Sequence, residues 1–208
     1  MNTNWIGVIC MNKHYWLLRP LPHGTDHLED FLKNDFIAVG YPVGKNLSDF
    51  SFNDMRTILS KNDMEEGIGN LHSLVKGMNI GDVIVVPSTN KKDIYFAEVE
   101  SDYIYDETVD KNVEGLGYPH QREVKWLLNK KSILRSDLPN ELRGSLRYPG
   151  AVADLTKHAQ LIEQLINGTI TEVTALETDA IDVIKELLNS EDDSIRLKAA
   201  ELVLKFKL

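Results

Sequence analysis

The chain has 208 residues, 42% apolar and 26% charged, with one cysteine and a formal charge of −9. That length buries a core without metal or disulfide staples. The lone Cys10 excludes an internal disulfide and points to a reducing cytoplasm, and no apolar run is long enough to span a bilayer. The balance is −4 over residues 1–150 and −5 over residues 151–208, which excludes a bulk basic tract, so any nucleic-acid binding needs a local pocket.

Residues Met1 to Asn12 lack a basic flank and a long apolar core, and read as a non-signal extension covering 1–13. The aromatic run His14 to Arg19 predicts a strand stopped by Pro20 and Pro22. Leu28, Phe31 and Leu32 sit at helical spacing within His27 to Lys33, with Thr25 or Asp26 as the expected cap. Phe36 to Gly40 predicts a short buried strand. Phe52 to Ser60 predicts a helix with Phe52, Met55, Ile58 and Leu59 inward, and Gly67 to Met78 a second with Ile68, Leu71, Leu74 and Val75 inward. A Gly81-Asp82 turn leads to a strand at Val83 to Pro87. A polar turn at Lys91 to Asp93 then opens a hairpin into Ile94 to Tyr105.

Asp106 to Gly117 is an acidic loop, and His120 to Leu128 alternates as a strand. Ser136 to Leu142 predicts a short helix, and Val152 to Leu155 a closing strand. Five or more strands mixed with helices give an α+β small mixed β-barrel spanning 14–156. Residues 157–208 then read as a helical tail: His158 to Ile166 ending at Asn167-Gly168, Ala175 to Leu188, and a last helix capped by Asp193 with Ile195, Ala199, Leu202 and Phe206 on one face. Short amphipathic helices of this kind need a surface to cover them, whether the first domain, a second copy or a partner.

Several segments taken in order resemble the EVE-like members of the PUA superfamily, and more closely the EVE-like domains attached to Mrr-type restriction endonucleases. They are His14-Tyr15-Trp16-Leu17-Leu18-Arg19-Pro20, Phe36-Ile37-Ala38-Val39-Gly40, Gly67-Ile68-Gly69-Asn70-Leu71, and Met78 to Pro87 with its Gly81-Asp82 turn. Ile94 to Val99, Tyr118-Pro119-His120-Gln121-Arg122 through Leu127, and Arg135 to Leu146 complete the set. Tyr41 stands where that family usually has Trp. The nuclease domain that usually follows is replaced by the helical tail, which weakly resembles HEAT-like segments at Asp192 to Glu201.

The resemblance implies a cleft beside the first two strands that takes an extruded, often modified, base of DNA or RNA in restriction or phage defence. On this chain the matching positions are Trp16, Arg19 and Pro20 after the first strand, Tyr41 and Pro42 after the second, and Ser88 and Thr89 after the third. Each has a plain structural alternative. Trp16 fits a core aromatic, and Ser88-Thr89 fits hairpin-turn chemistry. Glu98 and Arg122 either contact a ligand edge or form a half-buried ion pair with each other. Asn70 and His72, two apart on a helix, cannot share one face; either could point to the cleft, and a surface position fits each better.

No catalytic residues are expected. Glu123-Val124-Lys125 matches half of a nuclease motif, with Asp106 or Asp110 as the other carboxylate, but Glu-x-Lys is common on exposed strand faces. The six histidines make no metal spacing, no phosphate loop occurs, and no cofactor is expected. Three functions compete: a reader of a base in DNA or RNA, a sensor of a free nucleotide or nucleotide second messenger, and an acidic protein-interaction or DNA-mimic protein. The tail is the expected contact for a protein partner or homodimer.

Overall fold

A computed structural model describes residues 13–113, 115–168 and 183–206. The chain divides into two compact units, residues 1–159 and 160–208. The first is a mixed α+β unit. Its strands are β1 (Tyr15–Leu18), β2 (Phe36–Val39), β3 (Val83–Pro87), β4 (Asp93–Val99), β5 (Ile104–Tyr105), β6 (His120–Trp126), β7 (Ile133–Leu134) and β8 (Val152–Asp154). Six of them follow one curled path, β2-β6-β4-β3-β1-β8, while β5 adds to β6 and β7 to β4. Among the described strands only the β1–β3 pair is parallel, with Trp16 opposite Ile84. Parallel neighbours need a long crossover, and here it holds α1 (Leu28–Asn34), β2, α2 (Phe52–Ser60) and α3 (Ile68–His72), the last continued by a π-turn at Ser73–Gly77.

Pattern and burial agree along the strands. All five residues of β3 are buried, as expected of a strand covered on both faces. In β6 the buried residues are His120, Arg122, Val124 and Trp126, and Gln121, Glu123 and Lys125 turn outward. The core joins Phe31, Ile37, Met55, Leu59, Leu71, Leu74, Ile84 and Val86. The turn before β3 is fixed by Gly81, whose φ of +90° suits glycine. It is also fixed by the buried Asp82 carboxylate, which accepts from the His14 N–H at 2.9 Å, the Asn79 N–H at 3.0 Å and the Trp16 indole N–H at 2.9 Å.

Several boundaries differ from expectation. Helix α1 starts at Leu28 with His27, and neither Thr25 nor Asp26, at its cap position; Asp26, one residue earlier, accepts the Leu28 N–H at 3.0 Å. Helix α2 has the expected bounds and a reciprocal Ser51–Asp54 capping box. Its Phe52 does not face inward: it is 42% exposed and meets His72 edge-on, because it occupies the first helical position, one turn before the buried Met55. The hairpin strand ends at Val99, and Ile104–Tyr105 is a separate short strand. The expected helix at Ser136 begins only at Asn140, as α4 (Asn140–Ser145). Pro139 holds Leu138 extended and lacks an N–H, which breaks the predicted run.

In the second unit, α5 (Ala159–Ile166) ends at Gly168, whose φ is +75°. Residues 183–187 are helical, and the earlier part of the Ala175 to Leu188 segment lies outside the described residues, as do residues 1–12. A last helix spans Asp193–Phe206. Its cap is Asp192, accepting from the Ser194 N–H at 2.8 Å, and not Asp193, which is already helical.

Candidate functional site

A cleft of about 500 Å³ opens where β1 and β2 end, walled by the start of α3 and the 149–151 turn. Its lining includes Arg19, His23, Tyr41, Asp63, Glu66 and Asn70. This size suits a small-molecule or single-base ligand.

Tyr41 is the unusual residue. Its φ is +73°, a left-handed conformation that costs a non-glycine side chain about 1–3 kcal/mol. Three neighbours hold it there. The His120 ring hydrogen-bonds the Tyr41 carbonyl at 3.0 Å, the Asn70 amide donates to the Tyr41 hydroxyl at 2.8 Å, and Gly67 clears the ring. A Cβ on Gly67 would overlap the Tyr41 ring atoms. Because the hydroxyl is an acceptor for Asn70, its own hydrogen is left to donate. Burial raises the Tyr41 pKa, with the Asn70 bond opposing, so the phenol stays neutral.

The support for Tyr41 runs deep. His120 is fully buried. Its Nε2 faces a carbonyl and must carry the proton, so Nδ1 accepts from the Tyr103 hydroxyl at 2.7 Å. The Tyr103 oxygen in turn accepts from the Leu47 N–H at 3.3 Å. Burial pushes the His120 pKa down to about 4, against weaker opposing effects of the Tyr41 carbonyl and Asp110. Asn70 is equally committed: its Oδ1 accepts from the Val152 N–H at 3.0 Å, which ties α3 to β8.

Arg19 forms the opposite wall. Its Nε and Nη2 donate to the carbonyls of Gly150, Leu146 and Tyr148 at 3.3, 2.9 and 2.6 Å. Its Nη1 has no hydrogen-bond partner among the described residues. Desolvation lowers the Arg19 pKa, and nearby Arg135 adds to that shift. His23 hydrogen-bonds the Gly117 carbonyl at 3.0 Å and packs on Gly40.

Of the positions expected from sequence, Arg19 and Tyr41 come together in the cleft. Pro20 is buried beside it and Pro42 half-buried. Trp16 is a strut: its indole N–H is bonded to Asp82, and its ring would meet a Cβ on Gly77 at 3.4 Å. Ser88 serves the hairpin turn, its N–H donating to the Asp93 carbonyl, while Thr89 ties that turn to the segment before α1 by donating to Asp26 at 2.5 Å. The expected Glu98–Arg122 pair does not form. Glu98 faces Lys13 at 3.7 Å, and the register sets it opposite Lys125. Arg122 is buried and donates to the carbonyls of Leu74, Val75 and Ser101 at 2.7, 3.2 and 2.9 Å. It clamps the end of α3 to β6.

From sequence His120 is not a ligand-side candidate, while Asn70 is one of two helix residues of which either could face the cleft, with a surface position as the better fit; it is half-buried and lines the cleft. The alternation of β6 already placed His120 on the inward face, and that was the available signal.

A second concavity, of about 720 Å³, lies on the outward side of β6. Asp30, Asp106, Glu107 and Glu123 line it with Tyr105 and Tyr118, and among the described residues no lysine or arginine does. Glu123 and Asp106 thus share a groove, but Lys125 does not line it. Among the described residues no three acidic, histidine or cysteine side chains are grouped to hold a metal ion.

A search of curated proteins finds no match. Among solved structures the chain is similar to protein Atu2648 from Agrobacterium tumefaciens, with 13% identity and a TM-score of 0.36 over 71% of this chain and 88% of that one. A family model, the domain of unknown function DUF8426, matches residues 21–146. That span holds Tyr41, Gly67, Asn70 and His120, and over it the chain belongs to the DUF8426 family.

Proposed function

We propose that the first unit is a non-catalytic, PUA/EVE-like reader that takes one base of DNA or RNA, modified for preference, into the Tyr41 cleft. The observation that carries this reading is the strained Tyr41, held at the cleft by His120, Asn70 and Gly67. Strain of this kind persists where surrounding structure over-determines it, and such residues cluster at ligand sites. A half-buried tyrosine offers a stacking surface, and its free hydroxyl hydrogen offers a donor to a base edge. Asp63 and Glu66 at the rim are acceptors for exocyclic amines, as carboxylates are for cytosine N4. The Nη1 group of Arg19 supplies a donor for one phosphate or carbonyl.

A second reading is a free nucleotide in the same cleft. It is favoured by Arg19 Nη1, the one unengaged cationic group among the described residues lining the cleft, which suffices for one phosphate but not for a duplex.

The test is fluorescence anisotropy with labelled single- and double-stranded oligonucleotides, with and without modified cytosine, and competition by free nucleotides. The expected result is tightest binding to a modified oligonucleotide, weakened about 5- to 150-fold in Tyr41→Ala, the equivalent of about 1–3 kcal/mol of stacking. Competition by free nucleotide with no oligonucleotide binding selects the second reading. Equal binding by wild type and a folded Tyr41→Ala protein removes the cleft from the function.

A further inference from the structure

We infer that a four-cation patch beside the cleft, built from Lys91, Lys92, Arg135 and Arg143, is a docking site for the phosphate backbone of a single-stranded nucleic acid. These residues surround a concavity of about 420 Å³ together with Leu134 and Ser136, and among the described residues no carboxylate lines it. The chain as a whole carries 32 acidic and 23 basic residues, so four neighbouring cations without an acidic partner run against its composition. Among the described residues none of the four is in an ion pair. Other basic side chains are: Arg56 with Glu65, Lys130 with Asp35, and Lys13 with Glu98.

The nearby acids are turned to other work. Asp93 accepts from Asn90 and from Ser132 at 2.5 and 3.0 Å, and Asp137 accepts from the Ser136 hydroxyl at 2.9 Å. Glu141 precedes Arg143 by two positions on α4 and so points to another face.

The patch is firmly mounted. Asn90 Oδ1 accepts from the N–H groups of Lys92 and Asp93 at 2.8 and 3.0 Å, which fixes the β3–β4 turn. The Arg135 N–H then binds the Lys92 carbonyl at 2.6 Å, which sets the two cationic segments side by side. Arg143 is steadied by Asn140 and the Ser136 carbonyl. Lys91 and Lys92 are exposed, and both arginines are half-buried.

The patch also adjoins the cleft. Arg19 lines the cleft and lies within electrostatic reach of Arg135. Its guanidinium holds the Leu146 carbonyl, one residue beyond the end of α4, which carries Arg143. A strand whose base enters at Tyr41 therefore passes Arg19 with its neighbouring phosphates directed to the patch. That path rests on the base-reading cleft proposed above; the phosphate affinity of the patch does not.

The probe is a fluorescein-labelled abasic oligonucleotide, which keeps the phosphates and lacks the bases, beside the same length bearing bases. Four contacts to a single strand predict a slope of log K against log salt of about −3. Replacing all four residues by Gln is expected to flatten that slope to near zero and weaken abasic binding at low salt by at least about tenfold. Tyr41→Ala is expected to leave abasic binding at the wild-type level and to weaken only the base-bearing probe. Neutralising Lys33, Lys61 and Lys125, exposed cations elsewhere, provides the control and leaves binding intact. Thermal melts check that each variant folds. The inference is overturned if wild type ignores the abasic probe at low salt, if the four-Gln protein binds it like wild type, or if the control loses as much. Loss in the four-Gln protein with no base-specific loss in Tyr41→Ala instead keeps the patch and removes the base-reading cleft.

Discussion

Strand β6 separates two concavities that look alike in outline and differ in chemistry. On its inward side, His120 holds Tyr41 at the cleft and Arg122 binds the turn that follows α3; on its outward side, Glu123 and Gln121 line the acidic groove. Both are faced by tyrosines. In the groove the phenols are already spent: Tyr105 donates to Asp110 at 2.6 Å and Tyr118 to Asp30 at 2.8 Å. Burial, reinforced by Asp30, pushes Tyr118 up to about 12, and burial with Asp110 raises Tyr105 as well. In the cleft Tyr41 accepts from a neutral amide and keeps its hydrogen. The phenols of the larger hollow are thus spent on neighbouring acids, and the smaller one presents donors without partners among the described residues. Unspent hydrogen-bonding capacity, more than volume, marks the cleft as the place for a ligand.

The comparison breaks most visibly at Arg122. Removing its guanidinium leaves two buried carbonyls and one half-buried carbonyl short of a donor and frees the turn that follows α3. Arg122→Leu is expected to cost about 3 kcal/mol or more in a urea melt, whereas the outward neighbours Glu123→Gln and Lys125→Gln change it by less than about 0.5 kcal/mol. Similar losses on both faces would mean that β6 is not divided in this way.

The pH response separates the faces next. His120 is buried neutral, with a folded pKa of about 4 against an ordinary 6.5. Its unfolded form therefore takes up a proton first as pH falls. The stability it contributes is complete above pH 6.5 and is lost as pH drops from 6.5 toward 4, by on the order of 3 kcal/mol. His27 and His158, whose pKa values burial also lowers, act in the same direction. His120→Gln retains the geometry without the titration, so its melting temperature should fall less than the wild type's between pH 6.5 and 4.5. Parallel profiles would place the acid sensitivity elsewhere.

Gly67→Ala sharpens the same contrast inside the cleft. Its backbone is ordinary, so the cost comes only from the methyl meeting the Tyr41 ring. Overpacking of this kind costs about 1–3 kcal/mol, and the expected signature is displacement of the ring, read as a shift of the Tyr41 aromatic resonances together with weaker oligonucleotide binding. A variant with wild-type stability and unmoved resonances would show that the ring has room.

Much of this was legible in the residues and some was not. The run at Val83 to Pro87 and the helix at Phe52 to Ser60 carry their periods and caps locally, and both form with the expected bounds. Arg19 and Tyr41 were placed at strand ends and do share the cleft. What could not be read was partnership across long separations. Arg122 lies on an inward strand face with Glu98 as the nearest apparent charge, yet it pairs with carbonyls 47 and 48 positions away, which carry no side-chain signal. Trp16 is bonded to an aspartate 66 positions distant, and Asn70 to Tyr41 at a separation of 29. The four-cation patch joins two segments that are unremarkable apart and adjacent only because β7 pairs with β4.

The smallest expected effect lies in the acidic groove, and it tests the comparison from its other side. Asp106→Asn, Glu107→Gln and Glu123→Gln together remove three negative charges. The amide oxygen that the first of these introduces can still accept from Thr108, as the Asp106 carboxylate does at 2.9 Å, so stability should change by less than about 1 kcal/mol. If the groove only repels phosphate at a distance, neutralising it strengthens oligonucleotide binding a few-fold at low ionic strength. At physiological salt, where charges farther apart than about 8 Å are screened, the gain vanishes. Loss of binding in the triple variant would be the opposite sign and would mean that the carboxylates take part, accepting base amines as Asp63 and Glu66 are proposed to do. The direction of a modest salt-dependent change therefore decides whether β6 separates a binding face from a repelling one or carries two binding faces.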